Sequence, residues 1–349
     1  MTKVLVALTL LTATQIADSP SVASIEQSAL DARLHIKTAT LKLNVKSWLA
    51  PPGKEKMTNE TVYSIWLDGN KLRGDATPSS GPKAHHRTTA CENCEKDGWG
   101  ILYFSQKSVA ATCAPLAQMS ALQMKDAINP RLAGYDAVPF RILRLSRLDK
   151  VINQTARTEP SMKREAYGGK ECWVLRFAIK PPEYKTSVTV WVSPSEGSNV
   201  VRIEMSETSS SGAKTEWIVS SELALWPTGQ VWYPKKIIFE ELKKGVAVQR
   251  DVAEVVEAAF NQPIDPAIFT LAGVEMREGT YIQKPKDSES GFWRDNKIDT
   301  SKPSFADSTL SPPVAINPPQ EGTNYWLMGV CVASALGAVA IIVLRRRKA

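Results

Sequence analysis

The segment from Tyr325 to Leu344 runs twenty residues without a charge and is closed by Arg345, Arg346, Arg347 and Lys348. At about 1.5 Å rise per residue such a run spans the hydrocarbon of a bilayer, and a basic cluster marks its cytoplasmic side. The pattern predicts a transmembrane helix over 325–344 and a cytoplasmic basic stub over 345–349, with Trp326 placed as an interfacial aromatic. A buried helix of a soluble core would not be uncharged on every face and then end in four cations. Gly329, Ala333 and Gly337 recur every four residues and share one side of that helix. Small residues on one side let a second helix approach closely, so a weak homodimer through this strip is expected.

The other end predicts export. Lys3 precedes the apolar stretch Val4 to Leu11, and Ser21-Val22-Ala23 fits signal-peptide cleavage after Ala23, which makes 1–23 a signal peptide. The expectation is a single-pass membrane protein with a periplasmic N-terminal domain and a cytoplasmic C-terminus. The chain holds 43 basic and 36 acidic side chains, but without Lys3, Asp18 and the terminal cluster the exported part is left with 38 against 35. A domain so near neutrality has no electrostatic case for nucleic acid.

From 283 to 324 the sequence is rich in Pro, Ser, Asp and Lys, including Pro285, Pro303, Pro312, Pro313, Pro318 and Pro319. Such composition buries too little surface to offset its ordering entropy and reads as a spacer, with Trp293 an incidental aromatic. The domain over 24–282 reads as α+β with mainly antiparallel sheet. After a helical candidate at Ser24 to Leu34, Leu41, Leu43 and Val45 alternate with Lys42, Asn44 and Lys46, as in a strand with one wet face. Asp68-Gly69 marks a hairpin turn. Trp173, Leu175, Phe177 and Ile179 form one strand and Val188, Val190 and Val192 another, followed by Val201, Ile203 and Met205 as its partner. Longer strands are expected around Glu216 to Leu225, Val231 to Glu240 and Val246 to Val256. Helical candidates lie between, at Leu116 to Ile128, ended by Pro130, and at Val138 to Ile152. The latter carries Arg141, Arg144 and Arg147 at three-residue spacing, a solvated face or a cationic partner-binding surface.

A family resemblance rests on Trp173 to Ile179, Val190-Trp191-Val192-Ser193-Pro194 with the turn through Gly197, and Val200-Val201-Arg202-Ile203-Glu204. Gly229-Gln230-Val231-Trp232-Tyr233-Pro234-Lys235 and Asp265-Pro266-Ala267-Ile268-Phe269-Thr270-Leu271 extend it. Together with the order helix, strands, helical insertion, strands, these segments resemble the periplasmic lipoprotein carriers and sorting proteins of the LolA/LolB type and the envelope-stress regulator RseB. The resemblance implies a strongly curved antiparallel sheet, a half-barrel, wrapped around the helical insertion and enclosing an apolar cavity. It implies a non-catalytic envelope protein binding a lipid, an acyl chain or a lipoprotein. The candidate cavity wall is Trp66, Phe104, Trp173, Phe177, Trp191 and Trp232, drawn from a chain rich in large aromatic surface. The alternative is a membrane-tethered module for protein interaction or envelope-stress sensing, with an envelope protein as partner.

Other chemistry finds less support. Cys91, Cys94, Cys113 and Cys172 fall in the exported part and Cys331 in the membrane helix. Four cysteines in an oxidising compartment lead to an expectation of two disulfides, with the pairing open. Cys91-x-x-Cys94 lies in a loop-like setting rather than at a helix start, where a thiolate would be stabilised for exchange. Glu95 occupies the position that c-type haem attachment gives to histidine. His85 and His86 with Cys91, Cys94 and Cys113 can be drawn as a zinc site, but an exposed loop explains them equally. Gly-x-Ser-x-Gly, His-Glu-x-x-His and phosphate-binding glycine loops are missing, and Glu240-Glu241 and Glu254/Glu257 read as hydrophilic faces. Neither cofactor nor metal nor catalytic residue is expected.

Overall fold

A computed structural model describes residues 20–49, 56–79, 87–91, 99–104, 110–115, 129–135, 158–179, 185–274, 276, 278–283 and 291–301. The chain enters through α1 (Val22–Leu34), where Ser21 Oγ accepts a hydrogen bond from the Ser24 amide at 3.1 Å and satisfies one of the orphan donors of the first turn. Ile25, Ala29 and Leu30 recur at helical spacing and are buried on one side of α1.

Sixteen strands follow: β1 (Thr38–Leu49), β2 (Lys56–Asp68), β3 (Lys71–Pro78), β4 (Arg87–Cys91), β5 (Trp99–Phe104), β6 (Ala110–Pro115), β7 (Ser161–Tyr167), β8 (Lys170–Ile179), β9 (Lys185–Ser193), β10 (Asn199–Thr208), β11 (Lys214–Trp226), β12 (Val231–Lys243), β13 (Val246–Phe260), β14 (Tyr281–Gln283), β15 (Gly291–Arg294) and β16 (Lys297–Asp299). They form one sheet in the order β16-β15-β14-β6-β5-β4-β3-β2-β1-β13-β12-β11-β10-β9-β8-β7. Pairing is antiparallel throughout except between β14 and β6. The long β13 pairs with β1, so an early and a late strand meet in mid-sheet.

The predicted alternation holds in β1, where Leu41, Leu43 and Val45 are buried between more exposed neighbours. The β2–β3 hairpin pairs Asp68 with Lys71 and leaves Gly69 and Asn70 as the turn, Gly69 taking the left-handed φ of +59° that a glycine adopts without strain. In β10 a register shift between Val200 and Arg202 turns Val201 away from the face that holds Val200 and Ile203. Apolar clusters consequently lie on both faces: the main one joins α1 to β1–β3 and β8–β13, and a second gathers Cys172, Val174, Trp191, Val201 and Leu223. Trp293, in the stretch read as spacer, is buried on β15 with Val274, Met276 and Ile282.

Three expectations are corrected. The half-barrel wrapped around a helical insertion is replaced by one open sheet that, among the described residues, ends on β16 and β7; α1 and the turn at 129–135 lie on its main apolar face. Both insertion helices, Leu116 to Ile128 and Val138 to Ile152, lie outside the described residues. Residues 325–344 lie outside them too, and among the described residues no helix is long and apolar enough to cross a membrane. The α-helix that is described, α1 with 13 residues, is only about 20 Å long. The described architecture therefore contains no transmembrane helix, and the single-pass localisation and the homodimer through Gly329, Ala333 and Gly337, which rest on one, are not carried further.

The two disulfides are the third correction. Cys172 is free and buried, and four cysteines cannot form two bridges without it. Cys91 and Cys113 stand opposite Gly100 and Ile101 on either side of β5. Two strand spacings put their backbones about 9–10 Å apart, beyond the roughly 7 Å that a disulfide tolerates.

Candidate binding face

The turn that contains Pro130–Leu132 presses against α1 and carries Tyr135 into the main core. Arg33, in the last turn of α1, is completely buried between two tyrosines: its guanidinium carbon lies 4.5 Å from the ring centre of Tyr135 and 4.9 Å from that of Tyr233. Nη2 donates to the Ala133 carbonyl at 3.1 Å, whereas Nε and Nη1 have no partner. The tyrosine hydroxyls are engaged mainly with backbone, Tyr135 also lying 3.4 Å from Asn199 Oδ1. Tyr135 donates to Ala29 O at 2.9 Å and lies 3.4 Å from the Val200 amide, and Tyr233 donates to Pro130 O at 3.1 Å. Burial pushes both phenols above their ordinary pKa, and the neighbouring guanidinium only partly opposes it. No carboxylate pairs with Arg33 among the described residues.

Beside this cluster the strand register builds an apolar wall on the same face. One cross-strand row is Met162, Leu175, Val190, Ile203, Val219 and Phe239, running from β7 to β12. The next row is Phe177, Val188, Met205 and Trp217. The first row is mostly buried, while Phe177, Met205 and Trp217 in the second are half-buried. The rows end on two buried carboxylates, since Phe239 faces Asp251 and Trp217 faces Glu241.

The opposite face is more polar. Arg202 lies 5.3 Å from the ring centre of Tyr167 and 5.6 Å from that of Trp191, with its Nε on Glu204 at 2.8 Å. A cleft of about 350 Å³ is lined there by Tyr167, Cys172, Val201, Leu223 and the ion-paired Lys170 and Glu196. Burial, reinforced by Glu196, pushes the Cys172 thiol up, so it is a poor nucleophile at neutral pH. Trp66 shares this side: it alternates with the core residues Ile65 and Leu67 and takes the Arg73 guanidinium 5.1 Å from its ring centre.

Of the six expected wall residues, the five whose side chains are described divide between the two faces. Trp173 and Phe177 join the main apolar face, with Arg164 stacked 4.4 Å from Trp173. Trp191 and Trp232 belong to the second cluster, and Trp66 lies with Arg73. Phe104 ends β5, and its side chain lies outside the described residues, as do Arg141, Arg144 and Arg147. Glu241, read as part of a hydrophilic face, is buried and bridges Lys243 at 3.3 Å. Among the described residues no group of three histidine, cysteine or acidic side chains could hold a metal. Arg33, Tyr135 and Tyr233 escaped the sequence reading because they come from three distant segments; a basic residue in the last turn of an amphipathic helix ordinarily serves the helix dipole in solvent.

No family model and no curated protein matches the chain. Among solved structures it is similar to a LolA superfamily protein from Nitrosomonas europaea, at 17% identity and a TM-score of 0.42, covering 73% of this chain and 100% of that one. It is similar to a domain of an outer membrane lipoprotein-sorting protein from Vibrio parahaemolyticus, at 11% identity and a TM-score of 0.43, covering 72% and 98%. A DUF1329 family protein from Desulfovibrio piger gives 12% identity and a TM-score of 0.45, covering 74% and 100%. The weak resemblance to lipoprotein-sorting proteins drawn from the sequence thus reappears in the structure comparison. At these identities it assigns neither ligand nor residue role.

Proposed function

We propose that the chain is a non-catalytic envelope protein that holds an acyl chain or a similarly apolar ligand against the face of its sheet that also carries α1. The observation that supports this reading is the pair of adjacent apolar rows, of which the outer one leaves Phe177, Met205 and Trp217 half-buried. A ligand laid along them gains about 1 kcal/mol for every ~40 Å² of apolar surface it removes from water. The described polar groups at this face include Arg33, Arg164, two tyrosines engaged with backbone and Ser221, whose hydroxyl has no hydrogen-bonded base to activate it.

The test is native mass spectrometry of the gently purified protein, joined to tryptophan fluorescence during titration with a single-chain lipid. Bound lipid in the spectrometer, and a fluorescence change that is lost in Trp217→Phe, are expected. A protein that carries no lipid and gives no response to added chains would overturn the reading.

A further inference from the structure

We infer that the ligand of this face carries a carboxylate head group and that Arg33 is its counter-charge; this rests on the proposed acyl-binding reading and names the ligand class. A fully buried cation without an ionic partner is among the most costly groups a fold can hold, and the two flanking tyrosine rings offset only part of that cost. Arg33 leaves Nε and Nη1 unpartnered, and Ser221 Oγ is likewise buried without a hydrogen bond. A Cβ placed on Gly134 would lie 2.5 Å from Ser221 Oγ, and the adjacent Ala133 carbonyl holds Arg33 Nη2, so the orphaned groups surround one turn, Ala133–Gly134.

All of them can donate, and a carboxylate is an acceptor at both oxygens that also neutralises the guanidinium, whereas an ester or an alcohol brings no charge. The cluster stands at the start of the wall. Tyr135 touches Asn199 and Val200 at the beginning of β10, and the same strand carries Ile203 and Met205 of the two rows. From Val200 to Met205 the strand extends about 17 Å, so a head at Arg33 leaves the tail lying along the apolar rows.

The experiment titrates the full chain with palmitate and, separately, with methyl palmitate at pH 8, read by tryptophan fluorescence. Palmitate is expected to bind at least tenfold more tightly than its ester, and Arg33→Met is expected to abolish that preference while ester binding persists. Arg33→Lys, which keeps the charge, should retain the preference. Equal affinities for acid and ester in the unaltered protein would overturn the inference, with no variant required, while leaving the acyl-binding reading intact. Failure of both probes to bind would remove the two together. A preference that survives in a folded Arg33→Met protein would show that the head group is read elsewhere.

Discussion

The Tyr135 hydroxyl donates to the Ala29 carbonyl at 2.9 Å and so ties the turn after residue 129 to the middle of α1. The bond is buried, and the same ring supports the Arg33 guanidinium. One side chain thereby joins the N-terminal helix, the central turn and, through Val200, the start of β10.

Tyr135→Phe keeps the ring and removes the hydroxyl, leaving the Ala29 carbonyl without this donor. Ala29 O keeps its place in the helical ladder of α1, so the deletion removes a buried hydrogen bond without orphaning its acceptor, and about 0.5–1.5 kcal/mol is the expected destabilisation in urea unfolding. Tyr233→Phe removes the bond to Pro130 O, which keeps the Ala133 amide, and should cost a similar amount. Unchanged unfolding midpoints in both variants would show that α1 and the turn are held by apolar packing alone.

Arg73 and Asp75 form a second tie, at the other half of the sheet. Nε and Nη2 of Arg73 meet the two oxygens of Asp75 at 2.9 and 2.7 Å, and Nη1 donates to Ile268 O at 3.0 Å and Gly273 O at 2.6 Å, holding the Pro266–Phe269 turn against β3. Removing one member of a buried pair strands the other, so Arg73→Met should cost about 3–5 kcal/mol. The double variant Arg73→Met, Asp75→Leu should recover much of it, because no charge is then left buried. Hydrogen exchange should accelerate at 265–274 in both variants, since both lose the donor to Ile268 and Gly273. A double variant as unstable as the single one would mean that those backbone contacts, and not the stranded carboxylate, dominate.

The strands were legible where alternation is uninterrupted. Leu41, Leu43 and Val45 in β1, and Trp173, Leu175 and Phe177 in β8, take the common face that their spacing predicts. The spacing of Val201, Ile203 and Met205 predicts one common face, whereas an extra residue in β10 reverses the alternation there and turns Val201 to the other side. A bulge leaves no reliable trace in a hydrophobic pattern, and one residue of slip sends every side chain beyond it to the other side. The same dependence on register separates the described aromatics, with Trp173 and Phe177 on one face and Trp191 and Trp232 on the other. The Arg33 cluster depends on contacts between segments a hundred residues apart and has no local signature.

Cys172 offers a direct check on the corrected disulfide expectation. Its thiol is buried and held above the ordinary range by burial and by Glu196, so it should remain protonated and unreactive at neutral pH. Mass spectrometry after iodoacetamide treatment without reductant should find Cys172 largely unmodified in the native protein and fully modified in urea. Failure to alkylate it in urea, with a linked peptide that contains Cys172, would show that it does form a disulfide.

Alkaline pH separates the two buried tyrosines from the rest of the molecule. An exposed tyrosine ionises near pH 10, whereas burial raises the phenols of Tyr135 and Tyr233 above that point. Once the pH exceeds about 10, the unfolded chain has lost protons that the native state retains. The unfolded state then binds fewer protons, so stability falls as pH rises, by up to about 1.4 kcal/mol per pH unit for each tyrosine. Their contribution is complete below the unfolded pKa and is lost as pH climbs toward the native one. Urea midpoints measured from about pH 9 to about pH 11.5 should therefore decline more steeply in the unaltered protein than in Tyr135→Phe, Tyr233→Phe, which starts lower but lacks both ionisations. The difference isolates these two groups from the chain's other tyrosines, lysines and arginines, whose titration is common to both proteins. Tyrosinate absorbance gives the same answer by another route: two phenols should resist ionisation until unfolding in the unaltered protein and be missing from the variant. Parallel declines, together with full ionisation near pH 10 in the native state, would place both hydroxyls in contact with solvent and dismantle the buried cluster around Arg33.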